Sequence, residues 1–169
     1  MIKRVRGLLI SIALLAVVVI AFLAWYRIHF AMSPVEAFAV NEPSSGQRLL
    51  IATQGSAYKD AVVGGIVERL RQRPIFIRVI DVSVLADVND SEWDAIVVLH
   101  TIEYGKPPAP AQAFVDRTGD ARKVVVLSTS GAGDFKIEGI DAISSASRMA
   151  DVPARVDELL GRIETVLAR

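Results

Sequence analysis

The 169-residue sequence has no cysteine, only two histidines and a formal net charge of zero. Without cysteine there is no disulfide framework, thiolate metal site, iron–sulfur cluster or thiol nucleophile. The histidines, His29 and His100, lie far apart in the chain, and no His/Asp/Glu grouping has metal-ligand spacing. His100 closes an apolar run and reads as hydrogen-bonded structure rather than as a general base. Even charge gives no basic face, which excludes nucleic acid as a partner. The Gly-x-Ser-x-Gly elbow of a serine hydrolase is also missing. At this length one ordinary domain fits and two would be cramped.

What the chain has in excess is apolar residues, 52% of the total. Twenty residues in a row, Gly7–Tyr26, carry no charge. At ~1.5 Å per residue such a helix matches a hydrocarbon core of roughly 30 Å. Lys3, Arg4 and Arg6 precede the run, and Trp25 and Tyr26 stand where an interfacial aromatic belt lies. A cleaved signal peptide is the rival reading; its apolar core is shorter, about 7–15 residues, and ends in a small-x-small site that this run lacks. The expectation is a retained single-pass anchor in the cell membrane. Its N-terminus is cytoplasmic and its domain extracytoplasmic, because three basic residues precede the span and only Arg27 follows closely. Residues 1–30 hold four of the 19 basic residues and none of the 19 acidic ones, leaving a net charge of −4 beyond them. A weakly acidic domain is not drawn onto anionic lipid.

Four stretches follow: a basic N-terminus (1–6), the transmembrane helix (7–26), a linker (27–47) and a folded domain (48–169). The linker holds Pro34, Pro43 and a Ser-Ser-Gly and shows no long periodicity. Beyond it, strands and helices alternate. Arg48–Ala52, Ile75–Val82, Ala95–Leu99, Lys123–Leu127 and Ile140–Ile143 read as strands rich in Ile, Val and Leu, with Ala95–Leu99 apolar throughout. Val63, Ile66, Val67 and Leu70 mark one face of a helix, Phe114 and Val115 a short helix, and Val156, Leu159, Leu160, Ile163 and Leu167 a C-terminal helix opened by Asp151 and Pro153. Strands without a polar face imply a parallel sheet covered on both sides, hence an α/β doubly wound domain. Ser83–Glu92 and Thr129–Gly139 are too short for full crossover helices, so the second and fourth helices are expected to be reduced to turns or loops.

Three segments carry a resemblance to the flavodoxin-like family: RLLIATQGSAYKDAVVGGIVERL, EWDAIVVLHTIEYGKPPAPAQAFV and KVVVLSTSGAG. They are similar to that family's first strand, phosphate loop and first helix, then its third strand and a flavin-flanking loop, then its fourth strand and the second flanking loop. The Tyr-Gly pair is also similar to that of flavodoxin-type protoporphyrinogen oxidases. The resemblance implies a five-stranded parallel sheet in the order 2-1-3-4-5, FMN as cofactor, and electron transfer or redox chemistry with a redox partner protein. It places the phosphate at Thr53, Gln54, Gly55, Ser56 and Ala57, where the family's Ser/Thr-x-Thr-Gly-x-Thr pattern is matched only by Thr53, Gly55 and Ser56. Gly55 serves either that site or simply a tight strand-to-helix turn. The flavin ring falls between His100, Thr101, Tyr104 and Gly105 on one side and Ser128, Thr129, Ser130, Gly131 and Gly133 on the other. Tyr104 either stacks on the ring or packs on Pro107 and Pro108; the serine-glycine loop either flanks the ring or is a polar connector.

Asp141–Ser147 (DAISSAS) resembles a different signal, the covalent flavinylation motif of FMN-binding-domain proteins, with Ser147 as acceptor; otherwise it is a strand end and loop. The incomplete phosphate pattern leaves a second function open, a non-catalytic flavodoxin-like interaction module that has lost the cofactor. The topology is tested by protease added to intact cells with a permeabilised outer envelope. Residues 31–169 should be digested, and digestion only after lysis would reverse the orientation.

Overall fold

A computed structural model describes residues 2–30, 32–133 and 141–169. The chain divides into two compact units, one ending at Met32 and the other beginning at Ser33. The first is a single helix, α1 (Ile2–Phe30), whose Val5–Trp25 stretch is long and apolar enough to cross a membrane.

The second unit is built on a six-stranded sheet. Its strands are β1 (Phe38–Val40), β2 (Gln47–Thr53), β3 (Ile75–Asp81), β4 (Ala95–Thr101), β5 (Val124–Thr129) and β6 (Asp141–Ser145), in the order β1-β3-β2-β4-β5-β6. From β3 to β6 every pairing is parallel, and these five strands have the expected 2-1-3-4-5 order. The sixth strand corrects the count. β1 pairs antiparallel with β3, Phe38 opposite Val79 and Val40 opposite Ile77. It lies inside residues 27–47, read from sequence as a linker, and residues 33–47 belong to the folded unit. Three residues are too few to show an alternation, so only the edge of β3 reveals the strand.

Strand residues alternate between two apolar layers, as the lack of a polar face requires. Leu49, Ile51, Ile77, Val97 and Leu99 pack with Val63, Ile66 and Leu70 of α2 (Ala57–Leu70) and Leu159, Leu160 and Ile163 of α4 (Val152–Leu167). Val67 is partly buried against the same cluster. Across the sheet, Leu50, Ala52, Ile96, Val98 and Val126 pack with Phe114 of α3 (Ala109–Arg117).

The second crossover is reduced as expected, to 310 turns at Val82–Asp87 and Asp90–Glu92. Arg117 anchors it: its Nη2 donates to the carbonyls of Leu85, Ala86 and Val88 at 2.5, 3.2 and 3.0 Å. In the fourth crossover residues 130–133 form a loop, and residues 134–140, including the expected strand opener Ile140, lie outside the described residues.

Candidate functional site

In an open parallel sheet, ligands bind beyond the carboxyl ends of the strands. There β2 ends at Thr53 and passes through Gln54, Gly55 and Ser56 into α2. Ser56 is the N-cap, its hydroxyl accepting from the Lys59 amide at 3.3 Å, which satisfies one of the helix's unpaired amides. Gln54 and Gly55 are already bonded elsewhere. The Gln54 amide donates to the Leu99 carbonyl at 3.2 Å, and its side-chain Oε1 accepts from the Thr101 amide at 2.7 Å. The Gly55 amide donates to the Ser33 carbonyl at 2.9 Å, and its carbonyl accepts from the Ser33 amide at 3.1 Å. Pro34 favours an extended backbone at Ser33, suited to this pairing.

Beneath the loop lies a buried polar chain that joins α2, β4 and β5. Lys59, 1% exposed, donates from Nζ to Thr101 Oγ1 at 2.6 Å. The Thr101 and Thr129 hydroxyls are 3.1 Å apart, and Thr129 donates to the His100 carbonyl at 3.2 Å. His100 Nε2 pairs with Ser128 Oγ at 3.1 Å, and its buried Nδ1 has no hydrogen-bond partner among the described residues. Burial pushes the Lys59 ammonium down to about 8, against the opposing pull of Asp60 and Glu103. Burial also pushes the His100 imidazole down to about 4; the Thr101 backbone opposes this and the charge of Lys59 adds to it. A further buried bond, 2.6 Å between Tyr58 OH and Ser145 Oγ, ties α2 to β6.

The remaining expected residues lie on the loops. Glu103 and Lys106 exchange backbone bonds at 3.0 Å around a two-residue turn in which Tyr104 and Gly105 both have positive φ, 52° and 75°. Tyr104 is fully exposed, so it does not pack on Pro107 and Pro108. The Ser130 amide donates to the Ser145 carbonyl at 3.0 Å, and the Gly133 amide to Ser130 Oγ at 2.9 Å. Gly133, at φ 73°, sits where a Cβ would come within 2.7 Å of the Ala146 amide nitrogen, so this loop needs a residue without a side chain. Gly131 and Ala57 are exposed. Asp141–Ser145 of the flavinylation-like heptapeptide is β6 itself, and Ser147 is exposed with φ 56°.

The structure therefore joins Gln54, Thr101, Thr129, His100 and Ser128 into adjoining bonded pairs, while Tyr104 and Ser147 stand exposed on turns. Sequence reasoning passed over Lys59, Tyr58 and Ser33, and met Ser145 only inside the flavinylation-like heptapeptide. Lys59 was findable: the apolar stripe of Val63, Ile66 and Leu70, extended back one helical turn, lands on it. In this conformation both backbone groups of Gly55 and the side chain of Gln54 are bonded within the chain, so these groups are not free to hold an FMN phosphate. Among the described residues no group of three or more His, Cys, Asp or Glu could hold a metal ion.

Strand order and crossovers make the domain flavodoxin-like. No protein-family model matches the sequence, nor does any curated protein. Among solved structures it is similar to an oxidoreductase from Corynebacterium diphtheriae, at 12% identity and TM-score 0.49, over 74% of this chain and 98% of that one. A flavodoxin from the domain Archaea matches at 16% identity and TM-score 0.47, over 71% and 99%. General stress protein 14 of Treponema denticola, solved in complex with FMN, matches at 13% identity and TM-score 0.40, over 72% and 99%. Similarity at this level says nothing about ligand or activity.

The His100 environment makes a pH prediction. A histidine at about 4 when folded and 6.5 when unfolded leaves the unfolded state holding more protons between those values, so stability falls as pH drops through that window. Relative to His100→Gln, the wild type should lose on the order of 3 kcal/mol between pH 7 and pH 4, read by urea unfolding at each pH. An unchanged difference would show that burial does not hold His100 neutral.

Proposed function

We propose that the chain is a single-pass membrane protein whose flavodoxin-like domain works outside the cytoplasm as an interaction module, without a tightly held flavin. The observation that carries this reading is the two-bond pairing of Ser33 with Gly55 on the loop where a flavin phosphate would sit. Membrane anchoring rests on the apolar Val5–Trp25 stretch, and orientation on Lys3, Arg4 and Arg6 ahead of it. Tyr104 suits contact with another protein: an exposed aromatic side chain on a tight turn presents a large area at little entropic cost.

The same residue favours a second reading, an FMN-dependent electron-transfer domain serving a redox partner. Tyr104 follows β4 closely, at the end of the sheet where a flavin ring would stack. Visible absorbance of the full-length protein, purified in detergent from cells supplied with riboflavin, separates the two. The proposal expects no flavin bands. Stoichiometric flavin in the purified protein would replace it with the second reading.

A further inference from the structure

Ser33–Val35 is held at this end of the sheet by three hydrogen bonds and a close approach. Besides its two bonds with Gly55, the segment is held where the Val35 amide donates to Asp81 Oδ2 at 2.9 Å, at the end of β3. Asp81 Oδ1 accepts from the Ser83 amide at 2.8 Å, so one carboxylate holds both the segment and the start of the 310 turn. Its partial burial disfavours the charge, but the bonds from Ser83 and Val35 outweigh this and lower its pKa. Val35 also packs against the core under α2 and α4. The approach to Gly55 is so close that a Cβ there would lie 2.4 Å from the Ser33 carbonyl oxygen, a backbone atom that cannot swing aside. Beyond Val35 the chain is fixed again by β1 and by Asn41, whose Nδ2 donates to the carbonyls of Arg73 and Ile75 at 3.1 and 2.8 Å.

We infer that Ser33–Val35 is a built-in strap that keeps flavin out of this domain by pairing with the loop that would receive the flavin phosphate. The strap, rather than the non-hydroxyl residues Gln54 and Ala57, sets the affinity. This deepens the proposed cofactor-free function, since it names the element that enforces it. It also gives Gly55 a role opposite to the one the flavodoxin pattern implies. In a phosphate cradle, glycine lets the ligand approach; here it lets the strap approach.

The two roles predict opposite signs for one substitution. Gly55→Ala should push the strap off its loop and increase FMN affinity, whereas in a working cradle it would weaken binding. The double variant Ser33→Pro/Val35→Pro, which removes two strap donors without touching the loop, should act in the same direction. Net hydrogen-bond contributions predict a gain of roughly tenfold or more for each variant.

The experiment titrates FMN against the full-length protein in detergent, reading flavin fluorescence, with circular dichroism of each variant as the control for folding. The expected result is weak or no uptake by the wild type and at least roughly tenfold tighter binding by both variants. Folded variants that bind no better than wild type overturn the inference, as does tighter wild-type binding that Gly55→Ala weakens. Loss of the sheet in both variants also overturns it, because the segment would then be a structural staple. Flavin-free wild-type protein whose folded variants bind FMN no better would leave the proposed function standing and remove the strap alone, whereas wild-type protein purified with stoichiometric flavin would remove both.

Discussion

The pairing of Ser33 with Gly55 ties the N-terminal side of the folded unit to the loop at the carboxyl end of β2. Two backbone bonds join Ser33, at the start of the folded unit, to the loop between β2 and α2. Each such bond contributes only about 0.5–1.5 kcal/mol net. They engage the Gly55 amide and carbonyl, on the loop that faces the ligand end of the sheet. The fold offers a ligand position at this end of the sheet by topology, and Ser33 pairs with the loop there.

The polar chain beneath the loop follows the same logic. Lys59, Thr101, Thr129, His100 and Ser128 all lie at strand ends or in the first turn of α2, where ligand-contacting groups belong in this architecture. Here they bond to one another. A buried ammonium is costly without partners, and Thr101 supplies one at 2.6 Å. A neutral imidazole fits beside it: with its pKa near 4, His100 adds no second positive charge at neutral pH. The network ties β4, β5 and α2 together, and Tyr58 with Ser145 does the same for β6.

How much of this the sequence reveals depends on whether the interaction involves side chains at regular spacing. The five parallel strands and the three helices were legible because apolar residues recur with strand or helix periods. The missing second helix was legible from the length of Ser83–Glu92 alone. Lys59 was half-legible, an apolar-stripe position occupied by a charge. β1 and the strap were not legible, because both are made by main-chain groups that every residue carries. Their only traces are Pro34, which holds Ser33 extended, and Gly55, which reads equally well as a phosphate loop. Tyr104 falls on a turn after β4, and its full exposure could not be told from its neighbours Pro107 and Pro108.

The central claim is that the Gly55 amide is bonded to the strap in the protein without added ligand. Residue-resolved hydrogen exchange on the full-length chain in detergent tests it directly. The account predicts Gly55 and Val35 amides protected to a degree approaching that of Ile51 within β2. Exchange at Gly55 as fast as at the exposed Gly105 would show an open loop and contradict it.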